Sequence, residues 1–258
     1  MIRLTFLLRR RPGMSLQEFQ SYWLETHGPL VAGEARHLKM LRYVQVHTLD
    51  EPVNQGPWGM RGQMEPPYDG VAEAWWESRG DLVAAVESAE GQAAGAKLVE
   101  DERRFIDLAN SPLWLNYEYP QVNPAPEDIV AGPRSSIVKL YFPLRHLPGQ
   151  SLDEAQLYWR TQHGPLIRSQ ASAMRALRYI QVHRFEDEIE AGLRAARGTA
   201  VEPYTGHAEL WFDRNETGSP SPERREAAKR AEEDERKFID FGRSTMWFAK
   251  EHVFVDRR

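Results

Sequence analysis

One stretch of this chain occurs twice. Tyr22–Leu30 reads YWLETHGPL and Tyr158–Leu166 reads YWRTQHGPL, 136 residues further on. The same spacing aligns Pro12-Gly13 with Pro148-Gly149, Ser15 with Ser151 and Glu18 with Glu154. It carries through Leu41–His47 (LRYVQVH) and Leu177–His183 (LRYIQVH), then Pro67-Tyr68 and Pro203-Tyr204, Glu73 and Glu209, Trp75 and Trp211. Further on it shortens to 133, pairing Asp101–Asp107 (DERRFID) with Asp234–Asp240 (DERKFID) and Trp114 with Trp247. A long internal repeat constrains a fold strongly, because both copies must form the same unit. The chain of 258 residues therefore divides into units at 1–122 and 134–258. The short, polar, Pro-rich stretch at about 123–133 reads as a linker.

Each unit has one order of elements. Ile2, Leu4, Phe6 and Leu8 alternate with Arg3 and Thr5, the period of a strand over Ile2–Leu8. After the Pro12-Gly13 turn, SLQE (Ser15–Glu18) has the form of a capping box, repeated as SLDE (Ser151–Glu154). The helix it opens carries Leu16, Phe19 and Trp23 on one stripe, and Gly28-Pro29 is expected to stop it. A second helical stretch over Leu30–Met40 leads to a strand at Leu41–His47. A variable Gly- and Pro-rich loop (Asp50–Pro67), a strand at Gly70–Trp76, a helical region over Asp81–Asn110 with a break near Gly91 and Gly95, and a strand from about Trp114 complete the unit. The order β-α-β-β-α-β predicts an α+β fold of two tandem ferredoxin-like units. An apolar sheet face is costly in water, so the two sheets are expected to cover each other. Fusion makes that pairing intramolecular, at an effective concentration of roughly millimolar or more.

Composition excludes several function classes. A net charge of −5 gives no basic face for nucleic acid, and the basic runs Arg9–Arg11 and Arg224–Arg230 read as solvated edges. The absence of cysteine removes disulfides, thiolate nucleophiles and Cys-type metal sites. The apolar start of the chain is too short for a signal peptide, and no apolar run reaches the roughly 20 residues of a membrane span, so a cytoplasmic protein is expected. Eight Trp, nine Tyr and ten Phe supply walls for flat ligands.

The segments Arg10–Val31, Leu41–His47, Tyr68–Ser78 and Val99–Asp107, with Leu147–Leu166, Leu177–His183, Tyr204–Asp213 and Glu232–Asp240, resemble the EthD family. The second copy departs at Thr205, against Asp69, and at Ala155, against Phe19. The resemblance implies a dimeric α+β barrel, here formed within one chain, with a ligand pocket between each sheet and its helices. Superfamily members include cofactor-free oxygenases of anthrones, polyketide cyclases, lactone isomerases, decarboxylases and haem enzymes. Fold therefore leaves the reaction open.

His27 and His163 end the apolar stripes of the first helices and are candidate general acid/bases, or else histidines satisfied by helix-end carbonyls. His47 and His183 end the second strands, at a pocket mouth in the functional reading. Tyr68 and Tyr204 precede the third strands and are candidates to manage a phenol. Val71, Glu73 and Trp75 share a strand face, as do His207, Glu209 and Trp211. Each Glu is either a desolvated acid/base or the partner of an arginine such as Arg3 or Arg42. Arg42 and Arg178 can hold a substrate carboxylate, and Tyr22, Trp23, Tyr158 and Trp159 complete the candidate walls. The run Glu100-Asp101-Glu102 reads as a solvated helix face or a cap. No metal-ligand or phosphate-loop motif occurs, so neither metal nor cofactor is expected. These readings favour an enzyme acting on a small aromatic substrate, first a carbon–carbon lyase such as a decarboxylase, then a cofactor-free oxygenase. A haem protein or a ligand carrier is the remaining alternative, and a homodimer of the fused chain is a possible assembly.

Overall fold

The predicted alternation of Ile2–Leu8 is realised as strand β1. In the computed structural model, which describes residues 1–50, 54, 61–124, 128–215 and 220–258, it is followed by α1 (Leu16–Tyr22), α2 (Gly28–Glu34), β2 (Arg42–Thr48), β3 (Gly70–Trp76), α3 (Arg79–Glu87), α4 (Ala89–Glu102) and β4 (Leu113–Val122). The second half has β5 (Ile137–Leu144), α5 (Leu152–Tyr158), α6 (Gly164–Met174), β6 (Arg178–Phe185), α7 (Glu188–Arg197), β7 (Gly206–Asp213), α8 (Pro222–Glu235) and β8 (Trp247–Asp256). Parts of the expected loop (51–53, 55–60) and linker (125–127) lie outside the described residues.

The strands close into one antiparallel barrel in the order β1-β3-β2-β8-β5-β7-β6-β4. Each half supplies four consecutive strands, and the halves join edge to edge where β2 pairs β8 and β4 pairs β6. Closure leaves no sheet edge exposed, and it needs both halves. Period-2 alternation sends Ile2, Phe6 and Leu8 outward to the helices and Arg3, Thr5 and Leu7 into the barrel.

Both capping boxes form: Ser15 accepts from the Glu18 amide and Ser151 from the Glu154 amide, with each Glu returning to the Ser backbone. Gly28-Pro29 does not stop the first helix, contrary to the sequence expectation. A π-helical turn over Trp23–His27 links α1 to α2, and the Gly28 amide donates to the Trp23 carbonyl. The wider turn shifts the hydrogen-bond ladder, so Pro29 falls in the first turn of α2, where a missing N–H costs little. Gly28 is needed for close approach: a Cβ there would collide with the Phe254 ring and crowd the Gln45 amide. The same turn recurs at Trp159–His163 before α6.

Other boundaries moved as well. The stretch expected to be helical through Met40 leaves the helix after Glu34 and turns through Lys39 at φ 51°. The break in the later helical region falls at Ser88, which caps α4 by accepting from the Gly91 amide, instead of at a glycine. Helix α7 was not foreseen. No helix among the described residues is long and apolar enough to cross a membrane.

Candidate functional site

Between the outer face of the first half's sheet and its helices lies a cavity of about 480 Å³, in the range of small-molecule sites. Phe6 and Ala74 line it from the sheet, Trp23 and His27 from the π-helical turn, and Leu98 and Glu102 from α4. The π-helical turn decides where His27 sits. Its Nδ1 lies 2.8 Å from Oδ2 of Asp101, and the Tyr22 hydroxyl donates to Oδ1 of the same carboxylate at 2.7 Å. A carboxylate can only accept, so Nδ1 carries a proton, and in the neutral tautomer this leaves the lone pair on Nε2. The ring packs 5.1 Å from Phe105 and is 4% exposed.

The second half repeats the dyad. His163 Nδ1 lies 2.8 Å from Asp234, which also accepts from Tyr158 at 2.6 Å and Lys237 at 2.9 Å. Burial opposes the Asp234 charge, but these hydrogen bonds outweigh it and hold the carboxyl well below its usual range. The matching cavity is only about 70 Å³. Leu210 stands there where the first half has Ala74, and Ile167 where it has Val31.

The reading of Glu100-Asp101-Glu102 as a solvated face is corrected. Glu100 is exposed, but Asp101 and Glu102 are 7% and 4% exposed and face the site. Asp101 and Asp234, the partners of His27 and His163, are the residues that sequence reasoning missed. The signal was present in the matched runs DERRFID and DERKFID.

The remaining candidates fall into other places. His47 stacks on Trp23 at 4.6 Å and His183 on Trp159 at 4.4 Å, and each ring's Nε2 bonds a Gln, Gln45 or Gln181. Burial drives both pKa values down to about 3, so both rings are neutral. Tyr68 and Tyr204 meet each other inside the barrel, hydroxyl to hydroxyl at 3.5 Å, and Tyr204 also donates to Glu65 at 2.6 Å. Arg42 and Arg178 both reach Asp128, at 3.1 and 2.8 Å. They cover Trp75 and Trp211, whose indoles donate to Glu118 and Glu251.

Glu73, His207 and Glu209 also face the barrel interior. Arg3 pairs with Glu73, Glu118 and Glu209, while Lys139 pairs with Glu73, Glu209 and Glu251. Burial pushes the Glu73 pKa up to about 7 against the pull of Arg3 and Lys139. Burial likewise opposes the Glu209 charge, but Arg3, Lys139 and His207 outweigh it. Burial takes the His207 pKa down to about 3. Among the described residues, Glu73, His207 and Glu209 bring ligand atoms within 4.8 Å of one another. A metal there would have to displace Arg3 and Lys139 from both carboxylates, so the donor set fits an internal ion network better. The structure thus brings His27, Trp23 and Tyr22 into one site with Asp101. It leaves Tyr68, Tyr204, Arg42, Arg178, Glu73 and Glu209 in the barrel.

The family model of the EthD domain matches residues 11–109 and 147–242. No curated protein sequence matches the chain. Among solved structures, a Fusobacterium nucleatum protein provisionally described as a monooxygenase is similar with a TM-score of 0.53, at 4% identity over 98% of this chain and 93% of that one. A Lactobacillus acidophilus protein of the same provisional description has a TM-score of 0.46, at 6% identity over 99% and 95% of the two chains. At 4% identity the likeness to the Fusobacterium protein is one of fold.

Proposed function

Because the chain belongs to the EthD family, with one domain match in each half, we propose that it is an enzyme that deprotonates a hydroxylated aromatic substrate in the first half's cavity and passes it to molecular oxygen. His27 is the base. One observation carries this reading: an imidazole oriented by a carboxylate at 2.8 Å borders an apolar cavity of about 480 Å³. Asp101 fixes the tautomer and stabilises the imidazolium that forms, and a base so placed contributes roughly 10²–10⁴-fold. Apolar walls exclude water and strengthen the charges created within them.

The chemistry balances without a bound cofactor. Loss of a proton makes an electron-rich phenolate whose ring carbon donates electrons to O₂. At a ring CH₂, one oxygen atom stays as the carbonyl and the other leaves as water. The provisional monooxygenase description of the Fusobacterium protein agrees with this, though its similarity speaks to fold alone.

Decarboxylation, the first expectation from sequence, is the weaker reading. It joined His27, His163 or His47 to Tyr68 or Tyr204 and to an arginine for the carboxylate. Tyr68 pairs with Tyr204, and Arg42 and Arg178 pair with Asp128, away from His27. The same proposal takes each half as a ferredoxin-like unit and 1–122 and 134–258 as the domains, supported by four consecutive barrel strands per half.

The test is turnover of 1,8-dihydroxyanthrone and of a hydroxybenzoate series with and without oxygen. Anthrone turnover should consume one O₂ per product and stop under nitrogen. His27→Ala should lower kcat by about 10²-fold or more. Hydroxybenzoate turnover that persists under nitrogen overturns the oxygenase in favour of the lyase.

A further inference from the structure

The dipeptide Arg61-Gly62 recurs as Arg197-Gly198, 136 residues on. Each arginine lies between the second and third strands of its own half and reaches into the other half. Arg197, at the end of α7, donates through Nη2 to Oε1 of Glu102 at 2.7 Å, with its guanidinium 5.3 Å from the Phe6 ring centroid. Arg61 does the reciprocal, donating through Nε and Nη2 to the two carboxylate oxygens of Glu235 at 2.7 and 2.8 Å, over Phe142. Glu102 and Glu235 directly follow Asp101 and Asp234. Beside each His–Asp dyad, then, stands a glutamate gripped by an arginine from the opposite half.

The two grips differ. Arg61 engages both oxygens of Glu235 and lines the cavity of about 70 Å³. That volume holds a few waters but no aromatic ligand. Arg197 engages one oxygen of Glu102 and leaves Oε2 buried with no hydrogen-bond partner among the described residues. With Leu193 and Ala196 of α7 it walls the cavity of about 480 Å³. We propose that these arginines give the chain a single ligand site: Arg61 closes the second half's cavity, while Arg197 completes the first half's cavity from the other half and leaves it open. This rests on the first cavity being the functional one, and it makes that site incomplete in an isolated half.

Acylation of histidines by diethyl pyrocarbonate, mapped by peptide mass spectrometry, tests it without any substrate. The reagent attacks an unprotonated imidazole nitrogen and needs room. In the unaltered protein His27 should react, with exposed His37 as internal reference, and His163 should react about tenfold slower or less, since reaching it requires local opening. Arg61→Ala combined with Leu210→Ala should raise the His163 rate about tenfold while leaving that of His27 unchanged, because the enlarged cavity admits the reagent without opening. Equal rates at His27 and His163 in the unaltered protein overturn the proposal, and so does protection of both. Continued protection of His163 in a variant that circular dichroism shows to be folded overturns it too. Failure of the oxygenase reading shows in turnover with and without oxygen, and the labelling pattern is independent of it.

Discussion

In the proposed reaction His27 and Asp101 divide one task, and their separation in sequence explains what could be read of it. His27 stood out because it ends an apolar stripe and recurs as His163. Asp101 was hidden because a helical acid is usually solvated, and only the fold shows that α4 turns it 2.8 Å from His27. Asp101→Asn keeps the volume but leaves the imidazolium uncompensated, so kcat should fall by about 10²-fold or more with little change in KM. Steady-state kinetics checks this, and the solvent-exposed Glu100→Gln should be silent. The buried histidines carry a pH prediction. His47, His183 and His207 have folded pKa values of about 3, below the ordinary value of 6.5. The unfolded chain therefore binds protons that the folded chain does not, and stability present above about pH 6.5 is lost as pH falls toward 3. Each such group costs on the order of a few kcal/mol by pH 4. Acid titration of His47→Phe, followed by circular dichroism, should show a shallower decline than the unaltered protein.

At the scale of elements, the π-helical turns do work that a break was expected to do. A Gly-Pro pair after an amphipathic stripe ordinarily marks a helix end, and the local sequence contains nothing that overrides this. The override is tertiary: Gly28 lies against Phe254 of β8 and Gln45 of β2, and Gly164 against Gln121 of β4 and Gln181 of β6. Gly28→Ala should then cost about 1–3 kcal/mol by overpacking, read as a lower midpoint in thermal unfolding. Gly33→Ala, where a Cβ meets nothing within 4 Å, serves as the control. Strands were the most legible elements, because each alternates between a helix-covered and an interior face. Helix α7 was not legible, since the corresponding segment of the first half differs in sequence and the repeat gave no guide to it.

At the scale of the molecule, the barrel interior ties the halves together. Arg3 of the first half binds Glu209 of the second, and Lys139 of the second binds Glu73 of the first. Breaking one partner of a buried set strands the others, so Arg3→Ala should cost about 3–5 kcal/mol. Unfolding in denaturant should remain one transition across far-ultraviolet and tryptophan signals, because neither half closes its sheet alone. The strand pattern exposed the Glu73 and Glu209 faces, and pairing with Arg3 was one of the readings open for them. That both glutamates share two cations follows only from closure. Matched positions meet here: Tyr68 touches Tyr204, and Arg42 and Arg178 share Asp128. In a dimer of identical chains, residues beside the two-fold axis face their own copies, so every mutation there arrives twice and meets itself. Joined in one chain, the two positions can drift apart and answer each other. Arg3 matched to Lys139, Thr5 to Tyr141 and Val71 to His207 are differences that two identical chains could not carry.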